Sequence, residues 1–205
     1  VTQTEAGCAS AANGTVSGPI YVNTNISELY AGCIAPNGNY YCMSSNYCFC
    51  TGSKTEKLIS FNISGASPTM NWNVGVPNYD FSDFSFKNPG GVANNGVGAS
   101  CSDVYTSDGS TLNEFDASTG SVVKSGVSIP GGSNVLPTVN GGIDVDPICG
   151  YVYVGSQSKV DVFDKNLTSV TSYAAPTTVY DVKYNGGVVA ACGGTYGTGF
   201  VAEYT

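Results

Sequence analysis

The chain has 205 residues, only 11% of them charged, and a net charge of −8 with no histidine and no arginine. That balance excludes nucleic-acid binding, which needs lysine and arginine to neutralise phosphates. The missing imidazole also removes Ser-His-Asp and Cys-His nucleophile sites.

Serine, threonine and asparagine supply 60 residues. A surface solubilised by hydroxyls and amides fits an extracellular protein, and it loses little in an acidic medium where carboxylates neutralise. No run reaches the roughly 18 apolar residues of a membrane span. The chain starts at Val1 with no signal-peptide core, so a mature secreted protein is expected. The eight cysteines are even in number and form no CxxC. Without histidine a zinc site is not expected, and neither is any other metal or cofactor. Cys8, Cys33, Cys42, Cys48, Cys50, Cys101, Cys149 and Cys192 are instead expected to be bridged, with Cys42 to Cys48 the nearest local pair.

Residues 1–30 read as an N-terminal arm and residues 31–205 as a single domain. The arm holds a short strand around Ile20, Tyr21 and Val22, a candidate either to close the chain's own sheet or to pair with a neighbour. Next, Pro36-Asn37-Gly38 is a turn, and Tyr40–Cys42 and Tyr47–Cys50 read as strands joined across Met43–Asn46. An alternating run around Trp72, MNWNVGV, predicts another strand. Asp80–Lys87, DFSDFSFK, sets Phe81 on one face and Phe84 and Phe86 on the other, and Gly90–Gly98 is a loop. Ser121–Ile129 is a strand, and Pro130-Gly131-Gly132 and Asn140-Gly141-Gly142 are turns. Gly142–Pro147, GIDVDP, is a short run rich in aspartate and small residues, and Val179–Tyr184, VYDVKY, mirrors its place before an Asn185-Gly186-Gly187 turn. No window shows a helical period.

Between those two runs lies Tyr151–Asp164, YVYVGSQSKVDVFD, two strands around a polar turn. Tyr47–Asn62, Asp103–Asp116 and Val189–Tyr204 repeat it loosely. Their closing aromatics, Phe61, Phe115, Phe163 and Tyr204, are spaced by 54, 48 and 41 residues, the span of a four-stranded blade. The hairpin at 151–164 resembles the YVTN type of β-propeller repeat. In that family such hairpins form part of each blade, with runs like GIDVDP innermost. The fold expected is all-β, a propeller-like array of about four blades with no significant helix, or alternatively a β-sandwich.

Little chemistry is written in the motifs. Gly52-Ser53-Lys54 lacks the GxxxxGK[ST] frame of a phosphate loop. Asp144 and Asp146, two apart, share one face of a strand. They could serve a glycosidase or hold calcium, but the simpler role is to cap blade turns and take backbone N–H groups near a central channel. Asp80 and Asp83 are a weaker pair. Asn13, Asn25, Asn62 and Asn166 each begin an N-x-[ST] sequon and are candidate glycan sites. In overall character the chain resembles archaeal cell-surface proteins, including extracellular filament subunits that join by strand addition.

Taken together these features lead to the expectation of a structural subunit of a surface filament or coat, not an enzyme. Its partner would be itself in a head-to-tail homopolymer, with glycans as a further partner. Alternatives are a carbohydrate-binding module, a glycan-acting propeller enzyme using Asp144 and Asp146, or a virion spike or decoration protein.

Overall fold

A computed structural model describes residues 28–47, 54–65, 68–77, 96–100, 102–107, 110–132, 142–195 and 197–205. Among them are fifteen strands and no helix. The strands form four antiparallel sheets, arranged as the four blades of a β-propeller.

Blade 1 holds β1 (Glu28–Ile34), β2 (Asn39–Tyr47), β3 (Lys54–Asn62) and β4 (Thr69–Gly75). Blade 2 holds β5 (Gly96–Ala99), β6 (Asp103–Ser107), β7 (Thr111–Asp116) and β8 (Val122–Ser128). Blade 3 holds β9 (Ile143–Val145), β10 (Val152–Gly155), β11 (Lys159–Phe163) and β12 (Ser169–Ala174). Blade 4 has three strands among the described residues, β13 (Val179–Asn185), β14 (Val188–Thr195) and β15 (Thr198–Tyr204). In each blade the first strand is innermost, and β1, β5, β9 and β13 follow one another around a common axis. GIDVDP and VYDVKY are thus inner strands, as expected.

The repeat has a physical cause. Each of the first three blades closes its central hairpin with a buried phenylalanine, Phe61, Phe115 or Phe163. The next residue is Asn62, Asp116 or Asp164, whose side chain turns the backbone toward the outer strand. Asp116 does most: its Oδ1 accepts from the N–H groups of Ser118 and Thr119 and from both their hydroxyls. Gly120 then reverses the chain at φ +73°, a conformation that glycine adopts without steric cost.

Apolar faces pack blade on blade. Tyr41, Met43 and Leu58 of blade 1 meet Val104 and Phe115 of blade 2. Tyr105 and Leu112 of blade 2 meet Ile143, Val152, Val154 and Phe163 of blade 3. Tyr153, Val160 and Val162 of blade 3 meet Val179, Val182, Val189 and Ala191 of blade 4. Among the described residues no apolar cluster joins blade 4 to blade 1, and Val201, on the far face of blade 4, is 80% exposed.

Several expectations need correction. The break expected at Met43–Asn46 is absent, because β2 runs unbroken from Asn39 to Tyr47, and residues 48–50 lie outside the described residues. Met43–Asn46 contains no glycine or proline to stop it, and Met43 is fully buried. Among the described residues the first strand is β1, whose start at Glu28 falls within the span read as the arm. Cys33, Cys42, Cys149 and Cys192 are free thiols, so the bridges expected for these four are not formed. Cys33 lies opposite Tyr41 and Cys42 opposite Gly32, which puts these two thiols on opposite faces of blade 1, while the expected partner of Cys42, Cys48, lies outside the described residues. Cys149 sits exposed in the β9–β10 turn, and Cys192 on the exposed face of blade 4. The strand at Ile20, Tyr21 and Val22, the cysteines Cys8, Cys48, Cys50 and Cys101, the sequons at Asn13 and Asn25, and the Asp80–Lys87 run lie outside the described residues.

Candidate functional site at the inner strands

The inner strands set one residue per blade around the axis. Ala35, Ser100 and Asp146 each donate a backbone N–H across the turn that follows the inner strand, to the carbonyls of Asn39, Asp103 and Tyr151. Two places earlier stand Cys33, Gly98 and Asp144. By the same count Lys183 takes the matching place in blade 4, two before Asn185, which pairs with Val188 across the turn, and two places before it stands Asp181. Like Asp144, it accepts the N–H of the residue after it, at 2.9 Å from Val182 against 3.0 Å from Val145.

Close packing of these strands demands glycine at two points. A Cβ on Gly98 would stand 2.8 Å from Cγ2 of Val145 and 3.5 Å from the Cα of Asp144. A Cβ on Gly142 would run into the backbone and carboxylate of Asp181. The absence of side chains here draws blade 2 onto blade 3 and blade 3 onto blade 4.

Asp144 is half-buried and anchored twice. Its Oδ2 accepts the backbone N–H of Tyr184 at 2.8 Å, across the blade 3–4 seam, while its Oδ1 accepts that of Val145. Each carboxylate oxygen keeps a further lone pair for a ligand or a water. Lys183, on the same inner strand as Asp181, contacts it at 3.3 Å with both side chains well exposed. Such a pair adds little to stability, so the ammonium is free to serve a ligand.

Cys33, on the inner strand of blade 1, lies within the field of both charges. Its thiol is pushed up to about 12, first by burial and then by the negative charge of Asp144, with Lys183 acting in the opposite sense. A thiol at that value is protonated at neutral pH and is not a nucleophile. The residues gathered from blades 1, 3 and 4 are therefore one neutral wall, Cys33, one anchored carboxylate, Asp144, and one exposed cation, Lys183. That set can hold a polar ligand, activate a water and offset negative charge.

Asp146 plays a different part. Burial works to raise its carboxyl, but hydrogen bonds from the Ile148 and Cys149 N–H groups, the Cys149 thiol and the Tyr184 phenol outweigh it and hold it below the ordinary range. It caps the turn that leads to β10, closed by Gly150 N–H on its carbonyl. Both carboxylates reach Tyr184, Asp144 at its backbone N–H and Asp146 at its phenol. The pairing of Asp144 with Asp146 as two catalytic acids is thus corrected: Asp146 is consumed by its own turn. Lys183 and Cys33 were missed in the sequence because each is an isolated residue whose neighbours are brought by the fold.

No family model matches the chain, and no curated protein matches it, so the resemblances to YVTN repeats and to archaeal surface proteins gain no support. Solved structures do match. A gluconolactonase from Xanthomonas campestris aligns with a TM-score of 0.54 at 14% identity, over 84% of this chain and 56% of that one. A second, described as a putative gluconolactonase, gives 0.54 at 12%, over 85% and 58%. A calcium-binding protein, regucalcin, from Agrobacterium tumefaciens gives 0.50 at 15%, over 80% and 52%. The chain spans little more than half the length of each.

At such identity the likeness shows the fold. It also overturns two expectations. These propellers are gluconolactonases and regucalcin, not filament or coat subunits, and the expected structural subunit assembling by strand addition is withdrawn. The expectation of no enzyme is withdrawn as well, because the propellers this fold matches include enzymes. Its physical error was to equate missing histidine with missing catalysis, when a carboxylate also serves as a general base.

Proposed function

We propose that the chain is a hydrolytic propeller acting on small polar cyclic esters, with sugar-acid lactones the first class to try, at the inner-strand site. One observation carries this reading: Asp144 is anchored by two backbone N–H groups, one of them from Tyr184, the next residue after Lys183, whose exposed ammonium contacts Asp181. The gluconolactonase neighbours supply the substrate class.

In the reaction, a water lying on Asp144 attacks the lactone carbonyl carbon and passes its proton to the carboxylate. Lys183 offsets the charge that builds on the carbonyl oxygen. The ring C–O bond then breaks, and the leaving oxygen takes a proton to give the open hydroxy acid. Cys33, protonated, bounds the site without attacking.

Regucalcin is a calcium-binding protein, but the described residues do not fit a calcium ion. Among them no three acidic or thiol side chains are grouped to hold a metal, and Asp144 spends its anchoring contacts on backbone N–H groups. No step is routed through a metal.

A secreted location belongs to the same reading. It rests on composition: a surface rich in serine, threonine and asparagine, and little charge.

The test is a panel. Purified chain is mixed with aldonolactones of five- and six-membered rings and with matched open-chain esters, and proton release is followed with an indicator dye. Faster opening of at least one lactone than buffer alone supports the reading. No acceleration with any member overturns it.

A further inference from the structure

Two of the four sequons fall at the same blade corner. Asn62 is the last residue of β3 and Asn166 stands in the turn from β11 to β12, so both sit where the third strand of blade 1 or 3 passes to the outer one, and both are exposed. That corner is far along each blade from the inner strands and serves none of the chemistry above. The two turns are built in opposite ways.

At Asn62 the side chain folds over its own sequon. Its Oδ1 accepts the Ser64 N–H at 2.9 Å and the Ser64 hydroxyl at 2.7 Å. The amide and the hydroxyl that a glycosyl transfer requires are already in contact, and both residues are exposed. Nδ2 makes no hydrogen bond among the described residues.

At Asn166 the tripeptide is locked instead. Asp164 Oδ1 takes the N–H groups of Asn166 and Thr168, and the Asp164 carbonyl takes that of Leu167. Lys124 of blade 2 holds the Asn166 carbonyl at 2.7 Å. Leu167 stands at φ +56° with its side chain buried in the blade 2–3 core. No enzyme can draw this tripeptide into a cleft without pulling Leu167 out of that core.

We propose that Asn62 is an N-glycan attachment site that stays usable on the folded chain, and that Asn166 accepts a glycan only before blade 3 has folded. The donor class is an oligosaccharide on a polyprenyl phosphate carrier, delivered by its transferase. Nδ2 bonds to C1 of the glycan, the C–O bond to the phosphate breaks, the phosphate leaves with the electron pair, and the amide proton passes to a base on the transferase.

The experiment incubates lipid-linked oligosaccharide and a solubilised oligosaccharyltransferase with the folded chain and, separately, with chain that has been unfolded, reduced and alkylated. Peptide mapping gives occupancy at each sequon. In the folded chain Asn62 should be modified at least tenfold faster than Asn166, while the unfolded chain takes glycan at both. Asn62→Gln and Ser64→Ala should each abolish modification at that site alone, and Ser64→Thr should keep it. A folded chain that stays bare at Asn62, or that is modified equally fast at both sites, overturns the proposal.

Discussion

Tyr184 gives its backbone N–H to Oδ2 of Asp144 at 2.8 Å, joining the inner strands of blades 3 and 4 through a carboxylate instead of a strand ladder. The side chain of the same tyrosine stacks on Tyr153 of blade 3, with ring centroids 5.3 Å apart and planes 8° from parallel, and its phenol meets Asp146. One residue of blade 4 is thus gripped by blade 3 at both ends. Asp144 is held in place as a consequence, which is what a general base needs.

Removing that grip should be measurable in stability. Asp144→Ala leaves the Tyr184 and Val145 N–H groups without their acceptor and should cost about 1–3 kcal/mol. Asp144→Asn keeps a carbonyl oxygen for Tyr184 and should cost less, roughly 1 kcal/mol. Urea unfolding of the two variants beside the parent chain reads the difference; equal costs would contradict the anchoring role.

Acid should act in two opposite directions. Asp116 is held down to about 2, first by the hydroxyls of Ser118 and Thr119 and then by backbone N–H groups. Its folded value is depressed, so its stabilisation is present above the unfolded value of about 3.9 and lost as pH falls toward 2. Asp116→Asn should flatten the loss of thermal stability across that window. A variant that loses stability in acid as steeply as the parent would refute the assignment.

Glu114 has the reverse sign. Burial in the blade 2–3 seam raises its carboxyl, and Asp103 and Asp164 raise it further against the pull of Lys124. With its folded value above the unfolded one of about 4.3, its ionised form is a penalty at neutral pH that disappears as the group protonates. Glu114→Gln should therefore raise the melting temperature at pH 7 and give no gain at pH 4. A drop at pH 7 would show that the charge pairs with Lys124 more strongly than burial opposes it.

The thiols should separate by reactivity. Cys149 and Cys192 are exposed, whereas Cys42 is 1% exposed and its thiol is raised to about 11 by burial. Iodoacetamide at pH 8 should mark Cys149 and Cys192 in the folded chain, and Cys42 and Cys33 only after unfolding. Failure of either exposed cysteine to react would mean that it is bridged.

Much of this fold can be read from the chain, because its repeat is local. Phe61, Phe115 and Phe163 each close a hairpin and each precede a residue whose side chain makes the next turn, so spacing alone exposes the blades. The inner strands show only in part: GIDVDP and VYDVKY are legible, while β5 falls partly in the run read as a loop at Gly90–Gly98, because short glycine-rich strands look like turns. The site does not, because Cys33, Gly98, Asp144 and Lys183 hold one position in four blades with different residue types. No pattern search links them; only the turn hydrogen bonds and the coupling of Cys33 to Asp144 and Lys183 do. Thiol pairing is not legible for a similar reason: an even count says nothing about strand register, and register sets Cys33 and Cys42 on opposite faces.

The central claim is that Asp144 is a general base at the axis of the propeller, and kcat/KM of the Asp144→Asn variant tests it most directly. The substrate is the lactone that the parent chain opens fastest, and the variant is confirmed folded by its near-parental unfolding curve. Loss of a general base lowers rates by about 10²–10⁴-fold. The account predicts a fall in that range, carried by kcat, with the Lys183→Ala variant impaired beside it. A variant that opens the lactone at the parental rate would contradict the account.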